Sequence, residues 1–122
     1  MPIKIAVATE DQRNISNHFG RAPQYRIITV DGSKIIGNEV RTKPYHSQQE
    51  HHPAGENHSH DDMFAPIADC RVLLCGGMGT PAFTKAQEAG LTVILTGGDI
   101  EAAVMAYTSG SLTSDSRRIH QH

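Results

Sequence analysis

Arg71-Val72-Leu73-Leu74-Cys75-Gly76-Gly77-Met78-Gly79-Thr80-Pro81 decides the fold of this chain. Arg71 to Cys75 reads as a buried-strand run, the pattern of a strand covered on both faces, as in parallel α/β sheets. Glycines then replace side chains, after which Thr80 is a natural N-cap and Pro81 suits the first helical position. Strand, glycine turn and helix in succession form part of a βα unit, and the turn opens at the C-terminal edge of the sheet.

The neighbouring sequence extends this unit in both directions. Downstream, Gly90 ends the helix at its C′ position, Leu91 to Thr96 reads as another apolar strand, and Asp99 caps a helix with Ile100, Ala103, Val104 and Tyr107 on one stripe before Gly110. Upstream, Ile3, Ile5 and Val7 alternate with Lys4, Ala6 and Ala8, so residues 3 to 9 read as a central strand with one small-residue face. Gln24 to Val30 and Lys34 to Arg41 flank Asp31-Gly32-Ser33 and read as a β-hairpin. Asp61 or Asp62 opens a short helix to about Ala68, with Pro66 limiting its length. The order is β β β α β α β α. Right-handed crossovers after a leading hairpin predict an α/β fold with a five-stranded mixed sheet of order 3-2-1-4-5, strand 2 antiparallel to the rest.

Strands 1 and 4 are then the central parallel pair, and the chain leaves them in different directions. Their C-terminal ends form a topological switch point, where open α/β folds place a ligand crevice. The loop after strand 1 contains Asn17-His18-Phe19-Gly20-Arg21, and the loop after strand 4 contains Gly76-Gly77-Met78-Gly79. His18 and Met78 are therefore predicted at one end of the sheet.

At 122 residues with 38% hydrophobic content the chain is long enough for one core and too short for several. A formal charge of −2, with positive residues scattered, leaves no basic footprint for nucleic acid. No basic stretch leads into an apolar one and no run is long enough for a bilayer, so a soluble cytoplasmic protein without a membrane partner is expected. If the intervening residues are extended, Cys70 and Cys75 lie about 16 Å apart at about 3.3 Å per residue. A disulfide needs less than about 7 Å, so both thiols are expected reduced, and their odd spacing puts them on opposite faces of a strand.

Thr42 to Asp62 lacks apolar periodicity and carries His46, His51, His52, His58 and His60. It reads as a flexible loop spanning 42–62. With Glu50, Glu56, Asp61 and Asp62 nearby, these imidazoles suit weak, heterogeneous binding of a divalent metal rather than the fixed spacing of a zinc finger; a merely solvated loop is the other reading. Residues 111–122 show no pattern and read as a disordered tail, which leaves a single domain over 1–110.

The two loops bring a particular chemistry together. The His18 imidazole is a good iron or zinc ligand, and the Arg21 guanidinium suits negative charge on a ligand or a surface ion pair. Gly76, Gly77 and Gly79 expose N–H groups beside a helix N-terminus, as an anion cradle or simply as a tight turn. Cys75 is placed to supply a thiolate, or is a small buried hydrophobe, and Met78 is a soft thioether or core packing. Cys70, away from this edge, reads as structural.

Ile3 to Thr9, Asn17-His18-Phe19-Gly20-Arg21-Ala22, the histidine-rich loop and Cys70 through Gly79 resemble the dinitrogenase iron-molybdenum cofactor biosynthesis family, in the right order over about 110 residues. The resemblance implies a ribonuclease H-like three-layer fold and reversible, non-enzymatic binding of an anionic iron-sulfur or iron-molybdenum-type cluster. By the same resemblance Asn17, His18, Phe19, Gly20, Arg21, Cys75, Gly76, Gly77, Met78 and Gly79 would contact the cofactor, with His18 and Cys75 as metal ligands. It further implies donor and acceptor proteins for the cargo; because each chain offers few strong ligands, a monomer or a weak homodimer bridged by the cluster is expected. A metal-dependent nuclease on this fold would need clustered carboxylates, one of them within the first strand, whereas Glu10 and Asp11 lie only beyond its end. A zinc or nickel buffer, or a small-ligand regulatory module using the same crevice, is the alternative reading.

Overall fold

A computed structural model of the chain describes residues 2–42, 64–114 and the backbone of 119–120. The five loop histidines, the start of the Asp61 or Asp62 helix and residues 115–118 lie outside the described residues. The strands are β1 (Ile3–Thr9), β2 (Gln24–Asp31), β3 (Lys34–Thr42), β4 (Val72–Cys75), β5 (Met78–Gly79), β6 (Thr92–Leu95) and β7 (Ile119–His120); the helices are α1 (Thr80–Glu88) and α2 (Ile100–Thr108). Short 3₁₀ turns occupy Phe19–Arg21 and Ala65–Ile67.

The main sheet runs β3-β2-β1-β4-β6. β2 is antiparallel to β1 and β3, while β1, β4 and β6 are mutually parallel. This is the predicted order, with β6 in the fifth place because the two-residue β5 intervenes. A two-residue turn, with Gly32 at φ +63°, closes the β2–β3 hairpin, and a register shift at Thr29/Val30 leaves Ile36 unpaired.

The alternation along β1 divides the core. Ala6 and Ala8 face one layer, where their small side chains leave room for the rings of Phe19, Tyr25 and Phe64, backed by Ala82, Phe83 and Ala86 of α1. Ile5 and Val7 face the other layer, against Ile100, Ala103 and Val104 of α2. The α2 stripe is as predicted, and its cap is in place: the Ala102 N–H donates to Asp99 Oδ2 at 2.9 Å.

Three expectations are corrected. The N-cap of α1 is Gly79, not Thr80, because Met78–Gly79 stays extended to pair in parallel with Ile119–His120. Cys70 and Cys75 share one core layer rather than opposite faces: β4 begins only at Val72, and Cys70 sits on the preceding turn with its N–H on the Ile67 carbonyl. The described part of 111–122 is held rather than frayed, since Leu112 packs against the α2 layer, Ser114 Oγ accepts the Leu95 N–H at 2.9 Å, and β7 pairs with β5.

Candidate functional site

The loop after β1 owes its shape to two side chains at its start. Thr9 Oγ1 accepts the Gln12 N–H at 2.9 Å and donates to the Asn14 carbonyl at 2.7 Å. Asp11 Oδ1 accepts the N–H groups of Asn14 and Arg13 at 2.8 and 2.9 Å. Those bonds to the ionised form, the Asn14 N–H foremost, hold the Asp11 carboxyl down at about 2. Asp11 thereby shapes the turn, its Oδ2 accepting the Asn14 side-chain amide at 3.1 Å.

Past this turn the loop is joined to the ends of two other strands. The Ser16 N–H returns to the Ala8 carbonyl, the Gly76 N–H donates to the Ser16 carbonyl at 2.7 Å, and the Phe19 N–H donates to the Gly77 carbonyl at 2.8 Å. A Cβ on Gly76 would lie 2.7 Å from Ser16 O and 2.8 Å from Asn17 Cα, so glycine is required there by the close approach of the two loops. Ile15 N–H donates to Gly98 O, and Ile100 N–H to Arg13 O. A third loop, Thr96 to Asp99, therefore belongs to the same edge. The sequence signal for it is the Gly97-Gly98 pair at the end of the third parallel strand.

The predicted site residues separate into two levels. Asn17, His18, Gly20 and Arg21 are exposed at the mouth, and Gly79 is half-buried beside them. Gly76 and Gly77 are buried where the loops meet. Phe19, Cys75 and Met78 lie beneath, at 1%, 0% and 2% exposure. Phe19 stacks on Phe64 at a centroid distance of 5.4 Å, and Cys75 Sγ is 3.7 Å from Met78 Sδ. Ring and sulfurs thus form the floor that carries the mouth, and the thiolate role for Cys75 meets a side chain with no solvent access. Cys70 is likewise buried, its thiol pushed up to about 12, chiefly by desolvation and then by the Asp69 charge. Burial also raises the Tyr25 hydroxyl pKa well above its ordinary value.

The Ser16 hydroxyl, 2.8 Å from Glu10 Oε2, receives the His18 N–H at 3.2 Å. Its carboxylate partner and the backbone of His18, rather than an imidazole, set its position. A cleft of 220 Å³ lined by Glu10, Asp11, Asn14, Ile15, Ser16 and Asn17 opens beside it. A larger groove of 360 Å³, between Phe64–Ala68 and the last turn of α1, lies at the other end of the sheet. Among the described residues no group of three or more His, Cys, Asp or Glu is gathered as a metal site. Among the described residues the mouth combines one imidazole, one guanidinium and peptide groups, a set that suits a large anionic group bearing its own metal better than a bare ion.

The dinitrogenase iron-molybdenum cofactor family matches residues 1–110. The FeMo cofactor biosynthesis protein NifB of Sinorhizobium fredii is 29% identical over 108 residues, covering 85% of this chain and 21% of NifB, so the chain spans about a fifth of that relative's length. PH0822 aligns with a TM-score of 0.72 at 23% identity, covering 93% of this chain and 96% of its own. The apo form of the orange protein from Desulfovibrio gigas aligns with a TM-score of 0.64 at 23% identity, covering 93% and 92%. At these identities the two structures establish a shared fold.

Proposed function

The chain belongs to the dinitrogenase iron-molybdenum cofactor family, and from that premise we propose that it binds, holds and passes on an iron-sulfur or iron-molybdenum-type cofactor precursor without turning it over. The observation that carries this reading is the clamp between the loops: Gly76 to Ser16 and Phe19 to Gly77 fix the exposed His18 and Arg21 next to the glycine turn. His18 would supply one metal bond, Arg21 would face the negative charge of the cluster, and the peptide N–H groups near Gly20 and Gly79 would meet its sulfides. Ligation through one imidazole, the one described at the mouth, would leave a cargo able to depart, as a carrier requires.

Cys75 enters this scheme as part of the floor, and its thiolate could reach a cluster only if the Phe19 loop lifted. The ribonuclease H-like assignment of the fold belongs to the same proposal, supported by the sheet order and its antiparallel β2. Against nuclease chemistry on such a fold stands the position of Glu10 and Asp11 past the end of β1. Among the described residues no helix is long and apolar enough to cross a membrane; a cytoplasmic location and transfer to and from other biosynthetic proteins complete the proposal.

The test is anaerobic reconstitution with an iron-sulfur or thiomolybdate-type cluster, followed by metal and sulfide analysis and visible absorption. Iron or molybdenum retained together with sulfide is the expected result. Zinc or nickel alone, retained through the histidines of 42–62, would replace the carrier by a metal buffer. Neither would leave a small-ligand regulatory module at the same crevice.

A further inference from the structure

We propose that His120 is a second metal-binding residue of the mouth, brought beside the His18 loop by the pairing of β7 with β5. This rests on the carrier reading above and adds a ligand to it. After α2 the chain is held at two points. Ser114 Oγ takes the Leu95 N–H at the C-terminal end of β6. Ile119–His120 then pairs in parallel with Met78–Gly79, Ile119 in register with Met78 and His120 with Gly79. β7 also lies against α1, and β5 against the 3₁₀ turn of Phe19–Arg21. The chain beyond α2 therefore returns to the edge of the sheet that carries the mouth.

Alternation decides which of the two residues belongs to the site. Successive residues of a strand belong to opposite faces, and residues in register on neighbouring strands share one. Met78 is 2% exposed, in the core layer with Phe19 and Cys75, and Ile119 shares its face. Gly79 is half-buried at the mouth, and His120 shares that face. The residue types agree with this placement, isoleucine on the core face and histidine on the mouth face. Gly79 has no side chain, so β5 itself leaves the mouth face open.

Both histidines adjoin one short stretch of chain. Neighbouring strands lie about 4.8 Å apart, and Gly77 and Gly79 are about 7 Å apart if extended. His18 precedes Phe19, whose N–H donates to the Gly77 carbonyl at 2.8 Å, while His120 is in register with Gly79. Imidazole suits iron and zinc alike. The two attachments differ in strength: His18 is on the clamped loop, whereas β7 is a strand of two residues, and a segment held by few bonds opens at low cost. One ligand stays and the other leaves as β7 lifts, which suits a cargo that is first held and then passed on.

The test is anaerobic reconstitution of the full chain with ferrous iron and sulfide, and separately with tetrathiomolybdate. His120→Gln is expected to lower metal retention by about tenfold, the factor that one lost interaction of about 1.4 kcal/mol gives. His120→Cys, which restores a metal-binding side chain, is expected to recover it. Both should keep thermal midpoints near wild type, because β7 pairs through its backbone. A spectroscopic reading uses ¹⁵N-histidine-labelled chain in which His46, His51, His52, His58 and His60 are all changed to Gln. Nitrogen couplings from two imidazoles to the reduced iron-sulfur cluster are expected, one lost in His18→Ala and the other in His120→Gln. Retention by His120→Gln equal to wild type, or coupling from one imidazole alone, overturns the proposal. If the wild-type chain retains neither cluster, the carrier reading fails and zinc decides the pair separately: in the same labelled chain it should shift the ring signals of His18 and His120 at one concentration. Zinc that shifts one of them without the other, or neither, overturns the pairing of these two residues.

Discussion

The Phe19 N–H donates to the Gly77 carbonyl at 2.8 Å, and this bond joins the two levels of the mouth. On one side of it the Phe19 ring is 1% exposed, seated on Phe64 and 6.2 Å from the Tyr25 ring. On the other side His18 reaches solvent. The exposed chemistry is thus anchored by the most buried ring of its own loop. A mouth held this way is preformed and does not have to order itself around a ligand.

The first prediction follows from the contact next to that bond. Gly76→Ala places a methyl group 2.7 Å from Ser16 O and 2.8 Å from Asn17 Cα, both backbone atoms that cannot turn away. The loops must part, at a cost of about 1–3 kcal/mol typical of overpacking, and cofactor loading should fall with them. Urea denaturation and reconstitution on the same sample measure both. A variant with wild-type stability would show that the loops are not clamped at Gly76.

Gly76 also illustrates what could be read from the sequence. The strand order followed from apolar runs, turn glycines and crossover handedness, because these report burial and connection, which are local in the chain. The switch point, and with it the meeting of the 17–21 and 76–79 loops, followed from that order. The levels within the site did not. Asn17-His18-Phe19-Gly20-Arg21 gives no sign that its middle ring points down while its neighbours point out, because a loop has no period. Cys75 at a strand end is equally compatible with either side. The pairing of β5 with β7 escaped notice for a related reason: two-residue strands carry no alternation.

Thiol reactivity is the second prediction. Cys75 is 0% and Cys70 8% exposed, and the Cys70 thiol is pushed up to about 12. Neither should react with a thiol reagent at neutral pH in the native protein, whereas two equivalents should react after denaturation. Cys75→Ser should lower stability by about 1–3 kcal/mol through a hydroxyl placed among apolar partners. Fast labelling of one native thiol, mapped to Cys75, would return that residue to the candidate ligands.

A third prediction concerns the Arg41 cluster. Its guanidinium donates to both Asp69 carboxylate oxygens at 2.7 and 3.1 Å and to the Pro66 carbonyl at 2.7 Å, tying β3 to the 3₁₀ turn that carries Ile67. Arg41, and then Lys4, hold the Asp69 carboxyl well below the usual carboxylate range. A carboxyl depressed in the folded state stabilises fully above its unfolded value, near about pH 3.9, and that contribution is lost as the pH falls below it. Asp69 is 47% exposed, so solvent screening keeps the effect to about 1 kcal/mol. Arg41→Met should lower the thermal midpoint at pH 7 and flatten the remaining loss of stability between about pH 4 and pH 2. An acid limb as steep in the variant as in wild type would assign the acid sensitivity to other carboxylates, Asp11 first.

The fourth prediction separates ligation from scaffolding at the mouth. His18 is exposed, and the backbone around it is held by Ser16 Oγ and by the bond from Phe19 to Gly77, so its imidazole can be removed without disturbing either. His18→Ala should therefore stay within about 0.5 kcal/mol of wild-type stability, the range of surface substitutions. If the imidazole binds a metal of the cargo, loading should fall by about tenfold or more, since one lost interaction of about 1.4 kcal/mol is already a factor of ten. Arg21→Gln should weaken loading through charge alone, with an effect that shrinks as ionic strength rises. Phe19→Ala serves as the scaffold control, because deleting a ring at 1% exposure costs about 3–5 kcal/mol and should lower stability and loading together. Visible absorption of the reconstituted cluster, read beside the thermal midpoint for all three variants, distinguishes the roles. Equal loading of His18→Ala and wild type would remove His18 from the site while leaving the fold and the family untouched.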